Sequence, residues 1–344
     1  MKLKLGTKKC GDDFPPLMFA EEGQANQGDF NLAKKMINIA SESGADGIEF
    51  QLFFADDIYI KNDPAHKLYL KREFTIRQIH DLINITKDKG LLFQATCVSP
   101  RLVDICANAN VDVFCINATD LNNPFILDAV SSTDIPFWLA TLMATIEEID
   151  WAVNYLKHKG AKNFGLLHGQ HVMSSETCLE VPPEIIQLDC IKFFKKRYKL
   201  AVGFVDHTSN IYLPSLAASK GANIIMKHLS PQENWKGPDW AVCLSPNEWK
   251  KSREILHYTA LTFGNSKELS IAEIKDRSLH RRGIYTKRSL SKGSIITIND
   301  LIAVRPGKGS IDPRNIKKII GKKVIRNLPA QYLLQENDLL NVSE

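Results

Sequence analysis

Two histidines close consecutive apolar runs, in Gly203-Phe-Val-Asp-His-Thr208 and Met226-Lys-His228. Two imidazoles brought together suit a divalent transition ion, with coordination positions left open for substrate and water. A single histidine would more simply bond a neighbouring loop, but two at adjacent strand ends make His207 and His228 candidate metal ligands. Glu21, at the end of an earlier apolar run, could orient a water beside that ion. Lys236-Gly-Pro-Asp239 follows the second histidine, and its Gly-Pro turn would aim Asp239 back over the site, to bind a substrate hydroxyl or else to cap the next helix. Polar residues end most of the other runs too: Glu49 and Gln51, Thr96, Asn117 and Asp120, Thr141, His168, Asp206 and Lys227.

Such residues need a scaffold that gathers strand ends. Predicted strands run Pro16 to Glu21, Gly47 to Gln51, Leu91 to Thr96, Val113 to Asn117, Phe137 to Thr141, Phe164 to Leu167, Ala201 to Val205 and Asn223 to Met226. Predicted helices between them include Asn31 to Ser43, Thr75 to Lys89, Ile146 to Lys157 and Glu184 to Lys196. The first carries Leu32, Met36, Ile39 and Ala40 on one face, with Asp29 as N-cap and Gly44 as its stop. Continuous apolar runs separated by helices describe parallel strands covered on both faces. Eight such units within residues 1–264 fit an α/β fold, the (β/α)8 TIM barrel, whose chemistry lies at the C-terminal strand ends.

A linker is expected at 265–279 and a small β-rich module at 280–344. The module holds a near-repeat: the stretch from Arg288 to Leu301 aligns with that from Arg326 to Leu339, and both end in Asn-Asp-Leu. Each copy is predicted as strand, turn, strand and a helix start at Asn-Asp-Leu. Arg305-Pro-Gly-Lys-Gly309 is too short for a P-loop and reads by itself as a surface turn.

The chain has 344 residues, 44% hydrophobic and 24% charged, which excludes disorder, collagen and coiled coil as whole-chain descriptions. No run approaches the roughly 18 apolar residues of a membrane span, and the basic start lacks the apolar stretch of a leader. Seven cysteines, an odd number with no Cys-x-x-Cys pair, suggest a reduced, cytoplasmic enzyme. Net charge is +5, but residues 265–344 hold 16 Lys and Arg against 8 Asp and Glu. These cations are dispersed and lack interleaved aromatics, so anionic substrates or an acidic protein surface are expected and nucleic acid is not.

Taken together and in order, Ala20-Glu-Glu-Gly23, Asn31-Leu-Ala-Lys-Lys35, Gly44-Ala-Asp-Gly-Ile-Glu-Phe-Gln51, Leu167-His168, Gly203-Phe-Val-Asp-His-Thr208, Lys227-His228, Gly237-Pro-Asp239 and Arg305-Pro-Gly307 resemble the sialic acid (N-acetylneuraminate) synthase family with its C-terminal antifreeze-like SAF domain. The resemblance covers nearly the whole chain. It implies condensation of phosphoenolpyruvate with an N-acyl amino hexose, giving a nine-carbon 2-keto acid and phosphate. It further implies Mn²⁺ or Mg²⁺ on His207 and His228, assistance from Glu21, and sugar hydroxyls on Gln51, Asp120 and Asp239. Arg305 would close over the N-acyl end from the SAF domain of the other subunit in a swapped homodimer. Thr96, Thr141, His168, Asp206 and Lys227 complete the expected substrate-binding set.

The departures cluster where that family grips phosphoenolpyruvate. Its strand-two lysine is Glu49 here, its strand-four lysine is Cys115, and the adjacent serine is Ala118. Its Ser-Thr-Pro-Phe is Ala95-Thr-Cys-Val98 and its Ser-Thr-Gly-Met is Ala140-Thr-Leu-Met143. The Cys and Tyr-Pro-Thr after His168 are Gly169 and Met173-Ser-Ser175. Val205 replaces a serine and Met226 an acidic residue. Removing one charged contact commonly costs about 2–5 kcal/mol, so other groups must compensate, with Lys227, His168, His171 and Gln170 as candidates. Two rival readings stay open: the same barrel acting aldolase- or lyase-like on another donor, and a catalytically silent binding paralogue.

Overall fold

The computed structural model describes residues 2–172 and 181–340. The chain divides into two units, Met1–Phe263 and Gly264–Glu344. The first opens with a hairpin absent from the strands predicted from sequence, β1 (Lys2–Leu5) against β2 (Lys8–Gly11). The alternation Lys2-Leu-Lys-Leu5 sends the leucines to one side. Leu3, Leu5 and Cys10 pack with Leu17, Leu92, Val113 and Ala201, which open four barrel strands. The hairpin therefore plugs the end opposite the strand C-termini.

The barrel strands are β3 (Leu17–Glu21), β4 (Gly47–Leu52), β5 (Leu92–Cys97), β6 (Val113–Ile116), β7 (Phe137–Ala140), β8 (Phe164–Gly169), β9 (Ala201–Asp206) and β10 (Ile224–His228). All are parallel, and β10 pairs with both β9 and β3 to close the barrel. Every strand reaches its observed end within two residues of prediction, and β10 continues to His228, which brings that histidine into the ladder. Inside, glycine makes room for aromatic filling: a Cβ on Gly165 would lie 2.3 Å from the Trp138 ring.

Around the strands lie α1 (Phe30–Glu42), α2 (Ala55–Ile58), α3 (Pro64–Leu70), α4 (Ile76–Asp88), α5 (Pro100–Asn108), α6 (Pro124–Ser131), α7 (Ile146–His158), α8 (Cys190–Tyr198), α9 (Leu213–Ser219) and α10 (Pro246–Leu261). Asp29 caps α1 by accepting from the Asn31 and Leu32 amides, and Gly44 follows its end at φ 77°. The buried face is Ala33, Met36, Ile37 and Ala40; Leu32 and Ile39 are only half-buried, because the small Ala33 faces the strands. The helix expected from Glu184 begins only at Cys190: Pro183–Ile185 is a 3₁₀ turn, and Gln187 takes φ 52° between them. Among the described residues no helix is long and apolar enough to cross a membrane.

The second unit contains α11 (Ile271–His280), in the stretch expected to be a linker, then β11 (Gly283–Thr286) paired with β12 (Leu301–Val304) and β13 (Lys323–Val324) paired with β14 (Leu339–Leu340). The near-repeat is a structural one. Leu290 and Leu328, equivalent in the two copies, exchange backbone hydrogen bonds. Arg288 bonds Asp300 at 2.6 Å as Arg326 bonds Asp338 at 2.9 Å. Asn-Asp-Leu starts no helix: Ile298–Asp300 and Glu336–Asp338 are 3₁₀ turns that lead into β12 and β14. The aspartate bonds back to residue 297 or 335 instead of capping a helix.

Candidate functional site

Strand register assembles the site. His228 pairs with Glu21, Glu21 with Glu49, and Glu49 with Gln94. Paired residues of parallel strands project to the same side, so these four form one interior layer. All four line a cavity of about 930 Å³ at the strand C-termini, together with Gln51, Thr96, Cys115, His207 and Asp239.

Within it, ligand atoms of Glu21, His207 and His228 lie within 4.8 Å of one another, and among the described residues this is the one such group. The His207 and His228 ring centroids are 5.2 Å apart. His207 Nδ1 lies 2.9 Å from the Gln170 carbonyl, to which it can only donate, so Nε2 keeps its lone pair toward a ligand. His228 hydrogen-bonds through neither nitrogen; its Nε2 is 3.5 Å from Glu21 Oε1 without bonding geometry, and Glu21 Oε2 is also unpartnered. Buried polar atoms without partners are costly, and a group of them converging on one point signals a missing partner.

Burial sets the charge states. Desolvation, then the neighbouring His228 and His171, holds His207 well below the usual imidazole range. Desolvation lowers His228 too, with the Asp239 carboxylate opposing. Desolvation and then Asp239 push Glu21 up to about 8, with Lys227 opposing. Glu49 is raised well above the carboxylate range by desolvation and by Glu21. Two neutral imidazoles beside a carboxyl group that a cation would ionise are a divalent-ion donor set, so the residues present fit the metal that the sequence implied.

Asp239 reaches the cavity through local geometry. Trp235 covers Gly237, where a Cβ would lie 1.9 Å from the ring, and Asp239 turns at φ 57°. Gly23, at φ 60°, sits where a Cβ would be 2.6 Å from His228 Nδ1 and 2.9 Å from Asp239 Oδ2. That glycine lets the two side chains approach the end of β3.

Of the residues expected to bind substrate or metal, Glu21, Gln51, Thr96, His207, His228 and Asp239 line the cavity. His168, Asp206 and Lys227 do not, because Leu167, Val205, His207, Met226 and His228 take the inward positions and strand side chains alternate. His168 points into the helix layer, its Nε2 3.1 Å from the carbonyls of Ile186 and Gln187, with its ring edge-on to Phe194. Asp206 and Lys227 form a fully buried ion pair at 3.1 Å behind the two histidines, and Lys227 also donates to the Thr208 carbonyl. Thr141 is spent on the Leu167 carbonyl at 3.0 Å. Asp120 accepts from Asn123 at 2.8 Å, while Asn117, Ala118 and Thr119 form the wall there. Arg305 lies exposed in the second unit. Of the candidate replacements for the lost lysines, only His171 lines the cavity, and Gln170 serves His207 through its carbonyl. Met173 to Ser175 lie outside the described residues. Arg72, Tyr69 and Gln24 line the cavity unforeseen; they come from loops and a short helix end that show no periodic signal.

A closed parallel barrel with imidazoles and carboxylates gathered on its C-terminal rim, followed by a small β module, defines a (β/α)8 protein with a strand-end site. The chain belongs to the NeuB family, whose model matches residues 36–268, and a SAF domain model matches residues 281–340. It is 29% identical over 337 residues to the N,N'-diacetyllegionaminic acid synthase of Campylobacter jejuni, covering 93% of this chain and 99% of that one. It is also 29% identical over 340 residues to an uncharacterized protein of Methanocaldococcus jannaschii, covering 98% and 99%. The crystal structure of N-acetylneuraminic acid (sialic acid) synthetase from Leptospira borgpetersenii, in complex with citrate, superposes with a TM-score of 0.73 at 27% identity, over 80% of this chain and 95% of that one.

Proposed function

We propose that the protein condenses phosphoenolpyruvate with an N-acyl amino hexose to give a sialic-acid-like nonulosonic 2-keto acid and phosphate, acting as a cytoplasmic transferase. The observation that carries this is the converging set of Glu21, His207 and His228 at the barrel mouth of a NeuB-family chain. His207 and His228, with Glu21, would hold Mn²⁺ or Mg²⁺, which when bound supplies Lewis acidity for a sugar aldehyde and for water. Donor C3 bonds to the aldehyde carbon, water adds at donor C2, and phosphate leaves by C–O cleavage. Glu21 would orient that water and, in the ionised form that prevails above about 8, take its proton. Gln51 and Asp239 present oxygen acceptors to sugar hydroxyls, and Thr96 offers a buried hydroxyl beside Glu49 and Cys115. A homodimer in which each SAF domain brings Arg305 to the other subunit's sugar belongs to the same reading. Purified protein supplied with Mn²⁺, phosphoenolpyruvate and a panel of acylamino hexoses should release phosphate and a 2-keto acid; no phosphate with any sugar would reject it.

A second reading, another donor in the same barrel, is favoured by one observation: Glu49 and Cys115 stand in the cavity where two lysines were expected. Crystals soaked with Mn²⁺ and phosphoenolpyruvate decide between the two, since an empty mouth beside an occupied metal position supports the second.

A further inference from the structure

The cavity has two walls of unlike character. On the barrel layer, Glu49 is 3% exposed and Gln94 fully inaccessible, and Glu49 Oε2 and Gln94 Oε1 have no hydrogen-bond partner. No lysine or arginine accompanies them among the described residues that line the cavity, apart from Arg72. The stretch 173–180 contains neither residue type in its sequence. An oxyanion in this layer would meet no cation and the open Gln94 carbonyl, whereas a hydroxyl, amide N–H or ammonium would satisfy the open acceptors.

The opposite character is found at the turn after α3. Arg72 is half-buried, faces the cavity, and forms no ion pair among the described residues. Its side chain donates from Nη1 to Gln24 Oε1 at 3.3 Å. Gln24 in turn donates toward Gln51 Oε1 and the Tyr69 hydroxyl, each at 3.5 Å. The main chain that carries it is packed closely: Gly28, at φ 87°, sits where a Cβ would lie 2.6 Å from Arg72 Cα and 2.8 Å from the Lys71 carbonyl. Only glycine allows that loop to close on Arg72. A guanidinium has five N–H donors in a planar fork that matches carboxylate or phosphate, and among the described residues only the bond to Gln24 uses one.

We propose that Arg72 is the specificity-determining anchor for a phosphate or carboxylate of the substrate, at the cavity mouth, and that the layer of Glu49 and Gln94 receives hydrogen-bond-donating groups in place of an oxyanion. The proposal rests on the synthase reading only in taking this cavity as the substrate site. The anion has two sources, the three-carbon donor or an acidic group on the acceptor sugar, and binding experiments separate them.

The test uses full-length protein loaded with Mn²⁺ and titration calorimetry. The probes are phosphoenolpyruvate, an N-acyl amino hexose 6-phosphate, and the same sugar without phosphate. Arg72→Gln should weaken one phosphate-bearing ligand by about 30-fold, as expected for a lost charge-assisted contact, and leave the unphosphorylated sugar within about twofold. Arg72→Lys should recover part of the loss, since lysine keeps the charge without the fork. Loss for phosphoenolpyruvate assigns the anchor to the donor, and loss for the sugar phosphate assigns it to the acceptor. Glu49→Gln should leave both phosphate ligands nearly unchanged. The proposal is overturned if Arg72→Gln, still folded and still binding Mn²⁺, binds all three probes like wild type. It is equally overturned if wild type binds neither phosphate ligand, or if Glu49→Gln abolishes their binding. A protein that binds in an Arg72-dependent way but never releases phosphate overturns the synthase reading and leaves this one standing.

Discussion

Asp300 in the C-terminal unit and Glu49 in the barrel are both nearly inaccessible carboxyl groups, and their surroundings treat them in opposite ways. Asp300 accepts from the Thr297 amide and hydroxyl at 2.9 and 2.7 Å and from Arg288 at 2.6 Å, and these bonds hold it below the usual carboxylate range. Glu49 has an unpartnered oxygen, a second carboxyl beside it and no ion pair among the described residues, and desolvation drives it the other way. The first group is satisfied within the fold and repeated as Asp338 in the second copy. The second is left open toward a cavity, as are Glu21 and His228. Burial alone therefore does not distinguish a carboxyl satisfied within the fold from one left open to a cavity; the presence or absence of partners does.

The contrast can be broken most severely at the rim. His207→Ala or His228→Ala should weaken Mn²⁺ binding by more than about 100-fold, beyond what loss of an outer partner costs, while thermal stability changes little. Metal analysis and calorimetry check this, and wild-type metal affinity in both variants would refute the site. Behind the rim, Lys227→Met leaves Asp206 buried and uncompensated, and should destabilise the barrel by about 3–5 kcal/mol. Pairing it with Asp206→Asn should restore much of that loss in denaturant titration. In the C-terminal unit, Asp300→Ala should cost about 2–3 kcal/mol from the lost charged hydrogen bonds, read as faster amide exchange within residues 281–340 and not in β3–β10.

The smallest effect is in pH. A carboxylate lowered by folding contributes stability that is present above its ordinary value and lost as pH falls through the folded one. Asp300 lies below 3.8, and Arg314 holds the half-buried Asp312 at about 2. Amide exchange in residues 281–340 should thus accelerate as pH drops from 3.8 toward 2, and Asp300→Asn should flatten that response.

Much of the fold was legible because parallel strands covered on both faces must be continuously apolar, and eight such runs separated by helices leave few architectures. The two histidines were legible because barrel chemistry lies at strand ends. Less legible was which of two adjacent polar residues points inward. Asp206 and His207 look equivalent in sequence, as do Lys227 and His228, yet period-two alternation gives the cavity only the histidines. That signal was available, since Val205 and Met226 are the apolar inward neighbours. The β1–β2 hairpin was also signalled, by the alternation Lys2-Leu-Lys-Leu5, but a short strand of that kind has no partner until it folds back.

Arg72 carried no signal at all. Its place at the cavity goes with Gly28, more than forty positions earlier, closing on its backbone, and with Gln24 meeting its guanidinium. Sequence by itself determined the number of barrel strands, the order of the two units and the residue types available at the rim, because these follow from local periodicity and from the need to cover apolar faces. Only tertiary structure decided which side chains face one another across the barrel and which polar atoms are left without partners. Strand register and loop closure create those relations, and both join residues far apart in the chain.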